Sequence, residues 1–373
     1  PSFEVIDASD FILLPGLIDS HTHPLFSGSR ANETVLKSQG LGYEEIAAKG
    51  GGIQSTVLQT RAASLENLVE RYKVRALQAL EKGVVVWEAK TGYGLNPEEE
   101  RKCLTALYQA HKNDLDHELP GLVPTYLGPH AASPECRGLN NYIEQLIAEI
   151  PNISALNDEA LAKNYAYPLA VDIFIERNYF TKENGQLWLG SALQYGLDVH
   201  IHADEFSRSG GAELAIELAK RAEQTKEKRR DRGRVLSVDH CQYATETDLS
   251  RLAALGVTAV ALPMTSFFSK IPYVQADKWR SSGVRAAIAS DFNPGTAPAN
   301  NLWFAAYLAL SHCFFSLPEV IAGVTLNAAY AVGLEKKYGK IISKRKASCI
   351  AIEGLKIEDF FASPVGEHVR IIV

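Results

Sequence analysis

Cysteine is scarce in the 373 residues: Cys103, Cys136, Cys241, Cys313 and Cys349 are the only five, an odd number, and no two form Cys-x-x-Cys. That excludes a disulfide scaffold and argues for reduced thiols in a cytoplasmic protein. Long apolar runs are also missing. None approaches the roughly eighteen residues that would span a bilayer, and no basic segment followed by an apolar one opens the chain as a secretory leader would. A membrane partner is therefore not expected, and the sequons at Asn32 and Asn152 have no route to glycosylation. Positive charge is not in excess. The net charge is −6, which argues against nucleic acid or an anionic surface as a partner. The one basic stretch, Lys220 to Arg234, is interleaved with acids and reads as a solvated helix end with its loop. Methionine is nearly absent. Met264 stands alone and the chain opens at Pro1, which points to processing or trimming ahead of it.

What is present is a beat of short apolar runs. Leu17–His23, Val84–Lys90, Leu122–Leu127, Ala170–Glu176, Asp198–Ala203, Arg234–His240, Val257–Leu262 and Arg285–Ser290 read as strands. Several are continuous aliphatic runs, the pattern of strands buried on both faces and paired in parallel. Helical stretches separate them. Leu65–Glu81 carries an apolar stripe, and Pro97–His111 follows Asn96 as cap with acids in its first turn. Leu139–Ile150, Gly185–Tyr195, Gly211–Ala222, Glu246–Leu255, Gln275–Ser282, Asn301–Cys313 and Pro318–Val332 continue the alternation. Strand then helix, eight times, predicts an α/β fold, a (β/α)8 TIM-type barrel. No Gly-x-Gly-x-x-Gly follows a strand, which argues against an open dinucleotide-binding sheet. The ends differ: Phe3–Asp7, Ser348–Ile352 and His368–Val373 read as strands with no helix between the last two. The expected layout is residues 1–15 and 336–373 as the two parts of a small β domain, and 16–335 as the barrel.

The chemistry gathers where barrel active sites lie, at the carboxyl ends of the strands. The first strand ends in His21-Thr22-His23, the fifth in His200-Ile201-His202-Ala203-Asp204-Glu205, the sixth in Asp239-His240 and the eighth in Asp291-Phe292-Asn293. Alternation puts both imidazoles of His-x-His on one face, and imidazole is the commonest metal ligand. His202 stands nearer the top than His200, so His202 is the expected ligand and His200 a supporting residue. His21, His23, His202 and Asp291 then make an N3O site for one zinc or iron ion. A bridged second metal would need a lysine at the end of the fourth strand, where Glu176 stands instead. Lys90 reads as a salt-bridged structural lysine. Glu205, His240 and Asp291 are the candidates for proton traffic, the general base being open among the three.

These residues resemble the amidohydrolase superfamily of metal-dependent barrel hydrolases. Finer motifs are similar to its imidazolonepropionase family: Gly28-Ser29-Arg30-Ala31-Asn32-Glu33, Gly50-Gly51-Gly52-Ile53, Lys90-Thr91-Gly92-Tyr93-Gly94-Leu95, Gly128-Pro129-His130-Ala131 and Ser290-Asp291-Phe292-Asn293-Pro294-Gly295-Thr296. The likeness runs from about Pro15 to Gly339. It implies hydrolysis of the cyclic amide of 4-imidazolone-5-propanoate to N-formimidoyl-L-glutamate, a mononuclear zinc or iron site and a homodimer. By position it implies that Arg30, Tyr93, His130, Glu205, His240, Asn293, Gly295 and Thr296 face a small anionic substrate, whose carboxylate suits the planar fork of Arg30. Two departures concern the small β domain: few residues precede His21, and Ser348 stands where an aspartate is usual in the family. The alternatives are a deaminase of a heterocyclic base on the same metal site, to which Arg30 and Tyr93 offer no match, and a non-catalytic binding protein on the same scaffold.

Overall fold

The computed structural model describes residues 7–40, 45, 50–114, 118–133, 135–226, 233–343, 348–354, 356–361 and 369–372. Eight parallel strand positions follow the order of the sequence. The first three are Leu17–Asp19, Val84–Lys90 and Gly121–Tyr126. The fourth and fifth are each broken in two, as Ala170–Val171 with Phe174–Ile175 and Asp198–Val199 with His202–Ala203. The last three are Ser237–His240, Thr258–Ala261 and Arg285–Ile288. Hydrogen bonding runs through two five-stranded sheets, and the broken strands contribute one piece to each. The seam between first and eighth strands closes above them. Thr22 pairs in parallel with Phe292, Asp291 N donates to His21 O at 3.0 Å and His23 N donates to Phe292 O at 2.8 Å. This is the closed barrel that the alternation of strand and helix predicts.

The second strand shows why these residues pair. All seven of its residues are buried, so one face fills the barrel and the other meets helices. On the outer side Trp87 stacks on Tyr72 of helix Leu65–Leu80, centroids 5.8 Å apart, and on Phe292 at 6.4 Å. That helix begins at Ser64, whose side chain accepts from Asn67 N, and buries Leu68, Val69, Tyr72, Ala76 and Ala79. Each such aliphatic or aromatic side chain contributes roughly 1.5–3 kcal/mol.

Three helical expectations need correction. The helix starting at Leu139 does not stop at Ile150 but runs to Ala162 with Pro151 inside it. Proline removes one backbone hydrogen bond at a cost of about 3 kcal/mol, and the burial of Ile153, Asn157 and Ala160 beyond it offsets that loss. The stretch Pro318–Val332 is two helices, Leu317–Gly323 and Leu326–Ala331. Helices Ala31–Ser38, Gly52–Ala62 and Pro263–Ser269 were not expected, nor was the short Ile357–Phe360 between the last two strands, where the sequence predicts no helix; the first two have polar or weakly patterned faces, and the others are short.

At the ends, Phe11–Pro15, Cys349–Glu353 and Val369–Ile372 form a three-stranded antiparallel sheet with Cys349–Glu353 in the middle. The strand from the first part of the chain is therefore Phe11–Pro15; most of the expected Phe3–Asp7 lies outside the described residues.

Candidate active site

Four donors from three strand ends converge above the barrel. His23 Nε2 lies 3.3 Å from His202 Nε2 and 3.3 Å from Asp291 Oδ1, and His21 Nε2 lies 3.5 Å from the same carboxylate oxygen. A tetrahedral ion with ligands about 2.0–2.1 Å away has donor–donor edges of roughly 3.3–3.4 Å. His21 Nε2 is buried and has no hydrogen-bond partner, a costly state for a polar atom unless something else meets it. Burial, with Lys90 and neighbouring histidines adding to it, holds His21 and His23 well below the usual imidazole range. They are neutral, as metal ligation requires. The donor set therefore fits one metal ion. His240 lies beside it and, with His21 and His202, forms a second cluster of suitable reach.

The ligands are backed by groups that orient them. Asp239 Oδ2 accepts from His21 Nδ1 at 2.7 Å, which directs Nε2 into the site. Asp172 Oδ2 lies 2.9 Å from His202 Nδ1. Thr265 Oγ1 donates to Asp291 Oδ2. Such partners fix ring tautomer and angle. Beneath them Lys90, wholly buried, reaches Glu88 Oε1 at 2.8 Å, Asp172 Oδ2 at 2.9 Å and Asp239 Oδ2 at 3.9 Å. Burial opposes ionising Asp172, yet His202 and Lys90 hold its carboxyl well below the usual range. Burial pushes Asp239 up to about 7 against the pull of Lys90. Burial also disfavours a charged Lys90, but Asp172, Glu88 and Asp239 together outweigh it and raise its pKa. Lys90 is thus the salt-bridged lysine expected. His200 is in neither cluster of converging donors; its Nδ1 lies 2.8 Å from Ser237 Oγ, and burial pushes it down to about 3.

On the open side, His240 Nε2 lies 3.5 Å from Glu205 Oε2. Burial, reinforced by Asp291 and Glu176, raises the Glu205 carboxyl well above its ordinary value. Burial likewise pushes His240 down to about 3. Burial thus favours the protonated acid and the neutral imidazole in this pair. His240 and Asp291 both adopt left-handed backbone, with φ of 73° and 52°, the kind of strain, about 1–3 kcal/mol each, that collects at functional sites.

Sequence reasoning missed Asp172, Asp239 and Thr265 as supports. A signal existed for the first two: charged residues inside runs that read as fully buried strands must be paired.

The amidohydrolase family model matches residues 172–365, just over half of the chain. The imidazolonepropionase of Bdellovibrio bacteriovorus is 37% identical over 343 residues, spanning 91% of this chain and 74% of that protein. That of Bacillus velezensis is 37% identical over 352 residues, spanning 94% and 77%. The chain belongs to the imidazolonepropionase family. Among solved structures, the 5-methylcytosine deaminase from Klebsiella pneumoniae liganded with 5-fluorocytosine superposes with a TM-score of 0.71 at 16% identity, covering 99% of this chain and 87% of that one. An adenosine deaminase from Xanthomonas campestris with bound zinc gives 0.64 at 14% identity, covering 98% and 79%. At those identities the likeness is one of fold.

The residues that the imidazolonepropionase likeness singled out fall into two groups. Tyr93 and His130 stand at the metal donors: His130 stacks on His23 with centroids 5.1 Å apart, and Tyr93 lies 5.5 Å from His130 and 6.4 Å from His23. Arg30 holds Glu33 with a two-pronged bond, Nε to Oε1 and Nη2 to Oε2, both 2.8 Å, and Gly52 N joins the same carboxylate at 2.7 Å. Those contacts tie together two of the family-like motifs, Gly28–Glu33 and Gly50–Ile53. The guanidinium packs against Gly295, where a Cβ would stand 2.2 Å from Arg30 Nη1, so a side chain there would push the guanidinium from its place. Asn293 turns its amide on its own loop. Its Oδ1 accepts from Gly295 N and Thr296 N, and its Nδ2 donates to Asp291 O and Thr296 Oγ1.

Proposed function

We propose that this chain hydrolyses 4-imidazolone-5-propanoate to N-formimidoyl-L-glutamate, a step of histidine degradation, with one zinc or iron ion held by His21, His23, His202 and Asp291. One observation carries the reading: His23 Nε2 stands 3.3 Å from both His202 Nε2 and Asp291 Oδ1, His21 Nε2 stands 3.5 Å from the same carboxylate oxygen, and burial favours the neutral form of His21 and His23. The relatives named above supply the substrate class. Bound there, the ion would supply a water acidic enough to attack near neutral pH and an electrophile for the ring carbonyl.

The rest is the work of side chains. Arg30, its guanidinium oriented by the two-pronged bond to Glu33, offers positive charge to the propionate. Tyr93 and His130 line the ring's side of the site, and the 293–296 loop closes against Arg30. Asp291 takes a proton from the attacking water, with Thr265 holding its other oxygen in place. The new C–O bond forms at the ring carbonyl as the C–N bond to the amidine nitrogen breaks. Glu205, kept protonated by burial, delivers a proton to that nitrogen, and neutral His240 at 3.5 Å steadies the developing oxyanion and the glutamate. The same reading includes a cytoplasmic setting and a homodimer.

The test is metal analysis of the purified protein joined to an ultraviolet assay of imidazolone disappearance. Consumption of the imidazolone in proportion to bound metal is expected. Ammonia release from cytosine, with the imidazolone untouched, would overturn the reading in favour of a deaminase.

A further inference from the structure

Segment 91–95 delivers two of the groups at the metal donors. It carries the Tyr93 ring, and Gly92 O accepts from His130 Nδ1 at 2.8 Å. A carbonyl only accepts, so it is His130 Nδ1 that donates, and this bond sets the orientation of the ring. The segment has no regular structure to hold it. Gly92 and Leu95 sit at φ of 116° and 53°, and a Cβ at Gly94 would come within 2.5 Å of Glu100 N.

What fixes this shape is one carboxylate. Glu100, in the first turn of helix Pro97–Lys112 and fully buried, accepts from Gly92 N at 2.8 Å, Gly94 N at 2.6 Å and Leu95 N at 2.8 Å. Charge-assisted bonds of this kind are about twice as strong as neutral ones. Arg61 Nε holds Gly94 O from the outer side at 2.6 Å. The proposed chemistry gives Glu100 no role, yet it is wholly buried and bound to three of the five residues of the segment.

We infer that Glu100 is a positioning residue for substrate binding, acting through segment 91–95 to set the Tyr93 ring and the orientation of His130. The inference rests on the hydrolase reading above. Glu100→Gln keeps the size but turns one acceptor into an NH2 that faces backbone N–H groups.

The experiment is a double-mutant cycle on the metal-loaded protein, with Glu100→Gln and Tyr93→Phe alone and together, reading KM, kcat and bound metal. Glu100→Gln raises KM roughly tenfold, the loss of about one charge-assisted hydrogen bond, while kcat and metal content hold. In the Tyr93→Phe background the same change is expected to have less than about a third of that effect, because coupled residues are non-additive. A full KM effect in both backgrounds, or a fall in kcat at constant KM, overturns the inference. If Glu100→Gln is insoluble, Arg61→Ala, on the outer side of the segment, enters the same cycle and is read by the same two outcomes. A parent protein that leaves imidazolone intact sinks the functional reading; an active parent indifferent to these changes sinks this inference alone.

Discussion

Lys90→Met is the most informative single change. The ammonium is wholly buried and faces Glu88, Asp172 and Asp239 at 2.8, 2.9 and 3.9 Å. Removing one partner of a buried ionic cluster leaves uncompensated charge and costs about 3–5 kcal/mol. Unfolding entropy of about 2.1 cal/mol/K per residue gives roughly 0.8 kcal/mol/K for a chain of 373 residues. The melting temperature should therefore fall by about 4–6 °C. A second effect is chemical. Asp172 and Asp239 back His202 and His21, and without Lys90 both carboxylates gain protons and support the rings less well. Loss of such outer partners lowers metal affinity about 10–100-fold. Melting curves with and without metal, joined to chelator competition, read the two effects separately. Lys90→Met combined with Glu88→Gln removes one stranded anion and should regain part of the stability. If Lys90→Met alone melts within about a degree of the parent and binds metal as tightly, the charge network is not what supports the site.

Three further changes have defined outcomes. His21→Ala should lose bound metal and activity together, because His21 Nε2 is one of the converging donors; an active, metal-loaded variant would contradict the ligand set. Arg30→Ala should raise KM by roughly 10–100-fold, the worth of a charge-assisted pair to carboxylate, with metal content intact; an unchanged KM removes Arg30 from substrate binding. His111 lies outside the barrel, buried against the Tyr72 hydroxyl at 2.9 Å, and burial pushes it from 6.5 down to about 4. The unfolded chain takes up that proton first, so this contribution to stability is complete above 6.5 and is lost as pH falls towards about 4. Chemical denaturation should show about 2 kcal/mol of it disappearing between about pH 7 and about pH 5, a slope that His111→Gln flattens.

Two of the candidate donors, His21 and His23, were readable because their spacing is local: His-x-His follows an apolar run, and one period of a strand sets both rings on one face. The barrel was readable because its strands are continuous aliphatic runs. What escaped had non-local causes. The breaks in the fourth and fifth strands fall at Asp172–Ile173 and His200–Ile201, where polar side chains turn into the interior to meet partners far away in the chain. Thr265 gives no sign in its own neighbourhood that it will meet Asp291. Arg30 was named by its position in the family likeness, and its partner Glu33 is only three residues on, but Gly52 meets the same carboxylate from further along the chain, which no periodicity encodes. The helix through Pro151 ran against a local rule and was carried by burial further on.

The seam at Thr22 and Phe292 has a consequence for how the protein is made. His21 and His23 leave the ribosome well ahead of Asp291, which lies far along the chain from them. A nascent chain can offer a pair of imidazoles early, but the full set of donors exists only once the last staves of the barrel have been translated and docked. If the proposed ligand set holds, a chain halted before Asp291 is expected to hold metal weakly, however well its earlier part had formed.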